Sequence, residues 1–197
     1  MWNKIQRIYI GSQKVRPSHY KYSYDFRGKT KAQAQSDWWT IGSWTSIDAN
    51  WLGSTQWSAN IVNFPFSITN SRKIVFTCWF YNSNNGNKSV WFLWNSGTSS
   101  NTLMYVWSSW DGRRTAQINW TEVQWLTSKS SPSWQSEGVL TLDFVNLTWK
   151  FVYYWTTMNW TFTQTAADNM RTNLYAIRLF VQYSDAKIQY VKLDSYE

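Results

Sequence analysis

Two residue types are almost missing from this chain of 197 residues, which has one cysteine, Cys78, and one histidine, His19. A disulfide needs two thiols and a zinc site normally takes three or four Cys or His ligands, so neither can be built within one chain. A serine or cysteine triad would have to use His19, which sits in the basic stretch RPSHYKYS, and no nucleophile-elbow motif accompanies it. With only 3 prolines and 8 glycines, the chain is neither collagen-like nor linker-rich. Charged residues are 15% of it, too few for a coiled coil or a disordered polyelectrolyte. The longest apolar run, around IVFTCWFY, is far shorter than the roughly 20 residues of a membrane-spanning helix. The opening MWNKIQRIYI lacks a signal-peptide pattern, so the expectation is a soluble protein made in a cytoplasm, without membrane contact.

Aromatic residues are abundant, at 20% of the chain, with 17 tryptophans. The apolar residues alternate with period two almost everywhere, which predicts strands with one face toward a core. In IVFTCWFY, Ile74, Phe76, Cys78 and Phe80 share a face. The polar run NSNNGNKS that follows contains an Asn-Gly pair and predicts a hairpin into SVWFLW. A second hairpin is predicted from TLMYVW through SSWDGRR to TAQINW. Later strands are VLTLDF, LTWKFVYYW, MNWTFT, LYAIRLFVQY and KIQYVKLDSYE, and KAQAQS (31–36) is the one helical candidate. This pattern predicts an all-β protein, a single β-sandwich or jelly roll. Because both faces of LTWKFVYYW read as aromatic or β-branched, the outer side of one sheet is expected to be covered, by residues 36–68 or by a partner subunit.

The formal net charge of +8 is concentrated at one end. Residues 1–31 hold eight Lys and Arg against Asp25 alone, whereas the rest of the chain is nearly neutral. The predicted organisation is therefore an extended basic N-terminal arm over 1–31 and a sandwich over 32–197. An arm of this kind suits an acidic protein surface, with nucleic acid as the less favoured partner.

Catalytic chemistry finds little support. Glycan hydrolysis needs two carboxyl groups at a suitable separation, and the acids of the sandwich form no strand motif that gathers them on one face. Glu122 and Asp143 are the pair that could meet across a sheet. No D-x-D or EF-hand pattern offers a calcium site, and no metal or cofactor is expected. Tryptophan remains as the chemical signal, since indole rings on loops and turns make flat platforms for sugars or protein partners. Strand residues Trp79, Trp91, Trp149 and Trp155 are expected in the core, whereas Trp44, Trp51, Trp57, Trp107 and Trp110 are expected to be more exposed. The sharpest candidate is the tip WSSWDGRR, where Trp107, Trp110, Asp111, Arg113 and Arg114 bring rings, an acid and two guanidinium groups to one place.

The opening IYIGSQKVRPSHY, through Ile8, Tyr9, Ile10, Gly11, Val15, Arg16 and Pro17, resembles a short N-terminal segment of bacteriophage virion proteins. In those proteins the segment often precedes a concanavalin A-like (laminin G-like) jelly roll, and the closing KIQYVKLDSYE resembles its last strand. The resemblance implies a non-enzymatic virion component of tail, fibre or surface type, located in the virion. It would form homo-oligomers, contact other virion proteins through the opening segment, and leave attachment to cell-surface glycans open. A jelly-roll glycan hydrolase and a standalone carbohydrate-binding module are the alternatives.

Overall fold

A computed structural model describes residues 8–10, 13–15, 19–54, 60–65, 70–82, 89–94, 102–108, 113–118, 121–127, 136–153, 156–173, 176–181 and 186–197. The described chain begins with β1 (Ile8–Ile10), β2 (Gln13–Val15), β3 (His19–Asp25) and the short helix α1 (Lys31–Ser36). There follow β4 (Thr40–Ile41), β5 (Thr45–Ile47), β6 (Leu52–Ser54), β7 (Asn60–Pro65), β8 (Lys73–Asn82) and β9 (Ser89–Trp94). Next come β10 (Thr102–Ser108), β11 (Arg113–Ile118), β12 (Thr121–Thr127), β13 (Ser136–Asp143), β14 (Thr148–Tyr153) and β15 (Thr156–Thr161). Helix α2 (Gln164–Asn173), β16 (Ala176–Val181) and β17 (Ala186–Tyr196) complete it.

The strands form two large antiparallel sheets. One has the order β12-β11-β10-β9-β16-β7-β4, the other β15-β14-β13-β8-β17-β6-β5, with β3 also paired to β17. Alternation sends one face of each strand inward. Ile74, Phe76 and Cys78 of β8, Leu140 and Leu142 of β13, and Trp149 and Phe151 of β14 are buried with Ile177 and Leu179 of β16. Burying a side chain of this size is worth about 1.5–3 kcal/mol. A bulge between Ile188 and Tyr190 changes the parity of β17, so that Ile188 on one side of it and Val191 and Leu193 on the other all reach the core. The fold is an all-β sandwich, as the period-two pattern predicts.

Several details depart from the sequence reading. β8 and β9 lie in different sheets and do not pair, so these two strands form no hairpin; the Asn-Gly run between them lies outside the described residues. The second predicted hairpin forms, with Trp107 opposite Thr115 and Ser108 opposite Arg114. KAQAQS is helical, but α2 is a second helix that the pattern did not reveal, because only Ala167 and Met170 are fully buried along it. Residues 40–54 and 60–65 do not blanket an outer sheet face; their strands extend both sheets at the edges. The outer positions of β14 are Thr148, Lys150 and Val152, while Trp149 and Phe151 turn inward. Residues 19–25, assigned by charge to the arm, form β3 and pair with β17 from His19 opposite Tyr196 to Asp25 opposite Tyr190. Tyr24 and Phe26 are core residues. β1 and β2 pair only with each other among the described residues.

Candidate functional site

The clearest chemical feature of the described surface is built around α1. Its start is fixed by a capping box: the Gln33 amide N–H donates to Thr30 Oγ1 at 3.2 Å, and the Thr30 N–H donates to Gln33 Oε1 at 2.8 Å. Its end is a Schellman motif. The Trp39 N–H donates to the Ala34 carbonyl at 3.1 Å and the Trp38 N–H to that of Gln35 at 3.2 Å. The residue between Asp37 and Trp39 must then adopt a left-handed conformation, a position where glycine is the usual choice. Here it is Trp38, with φ of 75°.

That tryptophan gains little from burial, since it is 68% exposed. Its neighbour does the anchoring. Trp39 is buried against Tyr24 and Phe26, with ring centroids 5.5 and 5.3 Å away, and its indole N–H donates to Tyr22 Oη at 3.1 Å. Asp37 Oδ2 accepts from Tyr24 Oη at 3.0 Å and pairs with Lys29 Nζ at 3.2 Å. Burial pushes the Tyr24 phenol well up, with the hydrogen bond to Asp37 adding to the effect, so it remains a donor. Lys31 Nζ donates to the carbonyls of Gly42 and Ser43, tying α1 to the turn that carries Trp44, which is 44% exposed. This turn passes from β4, the edge of one sheet, to β5, the edge of the other. Exposed indoles thus lie at the C-terminal end of α1, at Trp38, and on the turn to which Lys31 is tied, at Trp44.

Sequence reasoning placed Trp44 among the exposed rings but did not single out Trp38. The signal was present as T-K-A-Q, a capping box, followed five residues later by adjacent tryptophans where a helix must end. Of the tip residues, Trp107, Arg113 and Arg114 lie on β10 and β11 at the turn end of the hairpin, whereas Trp110 and Asp111 lie outside the described residues. Of the opening segment, Ile8, Tyr9, Ile10 and Val15 lie on β1 and β2, and Gly11, Arg16 and Pro17 lie outside the described residues. Glu122 and Asp143 do not share a sheet: the first is on β12 and the second on β13. Asp143, the last residue of β13, instead caps the following turn, accepting from the N–H groups of Val145 and Asn146 at 3.0 and 2.9 Å. Trp149 is in the core as expected, and Trp79 is half-buried.

No family model matches the chain, and no curated protein matches it in sequence. Solved structures do. Lectin II from Ulex europaeus superposes with a TM-score of 0.69 at 7% identity, over 90% of this chain and 99% of that one. Arcelin-5, a lectin-like defence protein from Phaseolus vulgaris, gives 0.68 at 10% identity, over 92% and 100%. The exoplasmic domain of VIP36 in a form bound to Ca2+ and mannose gives 0.60 at 9%, over 88% of each chain. The fold is a concanavalin A-like jelly roll. At these identities the likeness is one of fold. Among the described residues, no three His, Cys, Asp or Glu side chains come together to hold a metal ion.

Proposed function

We propose that this chain is a non-catalytic, glycan-binding surface component of a bacteriophage virion, and that Trp38 is its sugar platform. The observation that carries the glycan reading is a tryptophan held in a glycine position. The backbone there costs about 1–2 kcal/mol for a side chain with a Cβ, and an exposed ring recovers almost none of it within the fold. Stacking on an apolar sugar face, with the Asp37 carboxylate next in the chain, supplies a use for such a ring. The lectin-like fold of the chain agrees with this. The virion assignment draws on the opening segment, whose strands β1 and β2 pair, among the described residues, with neither large sheet and so keep edges suited to contacting other virion proteins in an oligomeric assembly.

A glycan array probed with the wild-type chain and with Trp38→Gly tests the first part. The variant is expected to lose about 2 kcal/mol of affinity, roughly thirtyfold, for the neutral glycans that bind. Unchanged binding would reject the platform. A chelator is expected to leave the binding intact. For the second part, deletion of residues 1–18 is expected to preserve glycan binding while preventing incorporation into particles; normal incorporation would reject docking through the opening segment.

A further inference from the structure

A second candidate site lies on the outer face of the larger sheet, lined by residues other than those around α1. β8, β13, β14 and β15 run side by side there, and their register aligns Lys73, Asp143, Thr148 and Thr161 in one row. The next row holds Thr141, Lys150 and Asn159. Together they line an open depression of about 410 Å³, within the roughly 300–1,000 Å³ range of small-molecule sites. This face carries three threonines, Asn159 and the exposed Lys73 and Lys150, whereas Trp160, opposite the buried Trp149, belongs to the other face of the sheet.

The charge balance of this depression decides what it can take. Its one carboxylate is already engaged. Asp143 Oδ1 accepts from two backbone N–H groups and Oδ2 from Asn146 Nδ2 at 2.8 Å. Burial pushes this carboxyl up, but those hydrogen bonds and the nearby Lys73 outweigh it and hold the group below its ordinary value. Lys73 stands opposite this engaged carboxylate, and Lys150 opposite Thr141 and Asn159. The described ion pairs are Arg27–Asp25, Lys29–Asp37 and Arg171–Asp168, and neither Lys73 nor Lys150 belongs to any of them. Lys73 Nζ lies 5.9 Å from the Tyr196 ring centroid.

We propose that this depression binds an acidic sugar residue, one that carries a carboxylate, sulfate or phosphate group. Lys73 and Lys150 would face the oxyanion, and the threonine hydroxyls and the Asn159 amide would hydrogen-bond the ring hydroxyls. The chemistry differs from that of the Trp38 platform, because discrimination here depends on charge and not on stacking alone. The two sites are also separable by substitution.

The test compares pairs of oligosaccharides that differ only in an acidic group: glucose against glucuronate, and unsulfated against sulfated galactose. Binding is measured by titration calorimetry at low and high salt. The wild-type chain is expected to prefer the acidic member of each pair, with a preference that shrinks as salt rises. Lys150→Gln and Lys73→Gln, both exposed positions, should each lower the acidic affinity about fivefold while neutral-glycan binding and the melting temperature stay unchanged. Trp38→Gly should do the reverse. Equal affinity for acidic and neutral members, or an acidic preference that survives both lysine substitutions, would overturn the proposal. Acidic binding that depends on the lysines in a chain that binds no neutral glycan would uphold it while rejecting the Trp38 platform. A preference for sulfate but not carboxylate, or the reverse, would identify the group recognised.

Discussion

At the scale of single residues, backbone strain separates two tryptophan and leucine positions that look alike on paper. Leu147 also has a positive φ, 54°, but it is partly buried against the core, so packing offsets its conformation. Trp38 has no such compensation. Trp38→Gly is therefore expected to raise stability by about 1 kcal/mol, measured by urea unfolding, while it weakens binding of neutral glycans. A loss of stability would show that the ring belongs to the fold. Thr45 illustrates a smaller cost: it is buried on β5 and its hydroxyl has no hydrogen-bond partner among the described residues. Thr45→Val should stabilise by about 1 kcal/mol, because it removes a desolvated hydroxyl and keeps the branched shape. Strain of this kind was not legible from composition. A count of tryptophans cannot distinguish Trp39, locked in an aromatic cluster, from the adjacent residue pushed outward by the helix end.

Among elements, what the sequence revealed best was local alternation. β8, β13 and β14 have the inward faces that period two predicts. Pairing was less legible, because an Asn-Gly turn signal says only that the chain reverses and not which sheet receives the next strand. α2 escaped notice for a different reason: a stripe of Ala167 and Met170 on an otherwise polar helix is too narrow to stand out. Helix α1 is only six residues long and depends on its ends. Thr30→Ala is expected to cost about 1 kcal/mol in urea unfolding and to weaken glycan binding further than the stability loss explains, since α1 positions Trp38. Intact binding would show that the indole is placed by Trp39 alone.

For the whole molecule, the charge pattern and the sheet boundary give different accounts of the N-terminal region. Charge divides the chain at residue 31, but β3 already belongs to the sheet at residue 19. Deleting residues 1–18 should leave a cooperative thermal transition, whereas deleting 1–31 removes Tyr24, Phe26 and one neighbour of β17, and should yield aggregated protein. Equal behaviour of the two truncations would contradict this. Stability should also respond to acid. Burial raises Asp25 and Asp143, but hydrogen bonds from Arg27 to the first, and from Asn146 and Val145 to the second, outweigh it and leave both below their ordinary value of 3.8. Such groups add stability above that value and lose it as pH falls through their native pKa. The melting temperature should be nearly constant from about pH 5 to 8 and drop below about pH 4. Asp143→Asn should flatten part of that drop.

The placement of β17 has a consequence for how the protein is made. This strand sits between β8 on one side and β3 and β6 on the other, yet it follows all of them in the chain. During synthesis, at about 5–20 residues per second, β3, β6 and β8 emerge many seconds before their shared partner. In that interval their edges are unpaired and apolar surface such as Phe76 and Leu52 is uncovered. The nascent chain therefore passes through a long window in which chaperone binding competes with aggregation, and slow translation would lengthen the risk instead of relieving it.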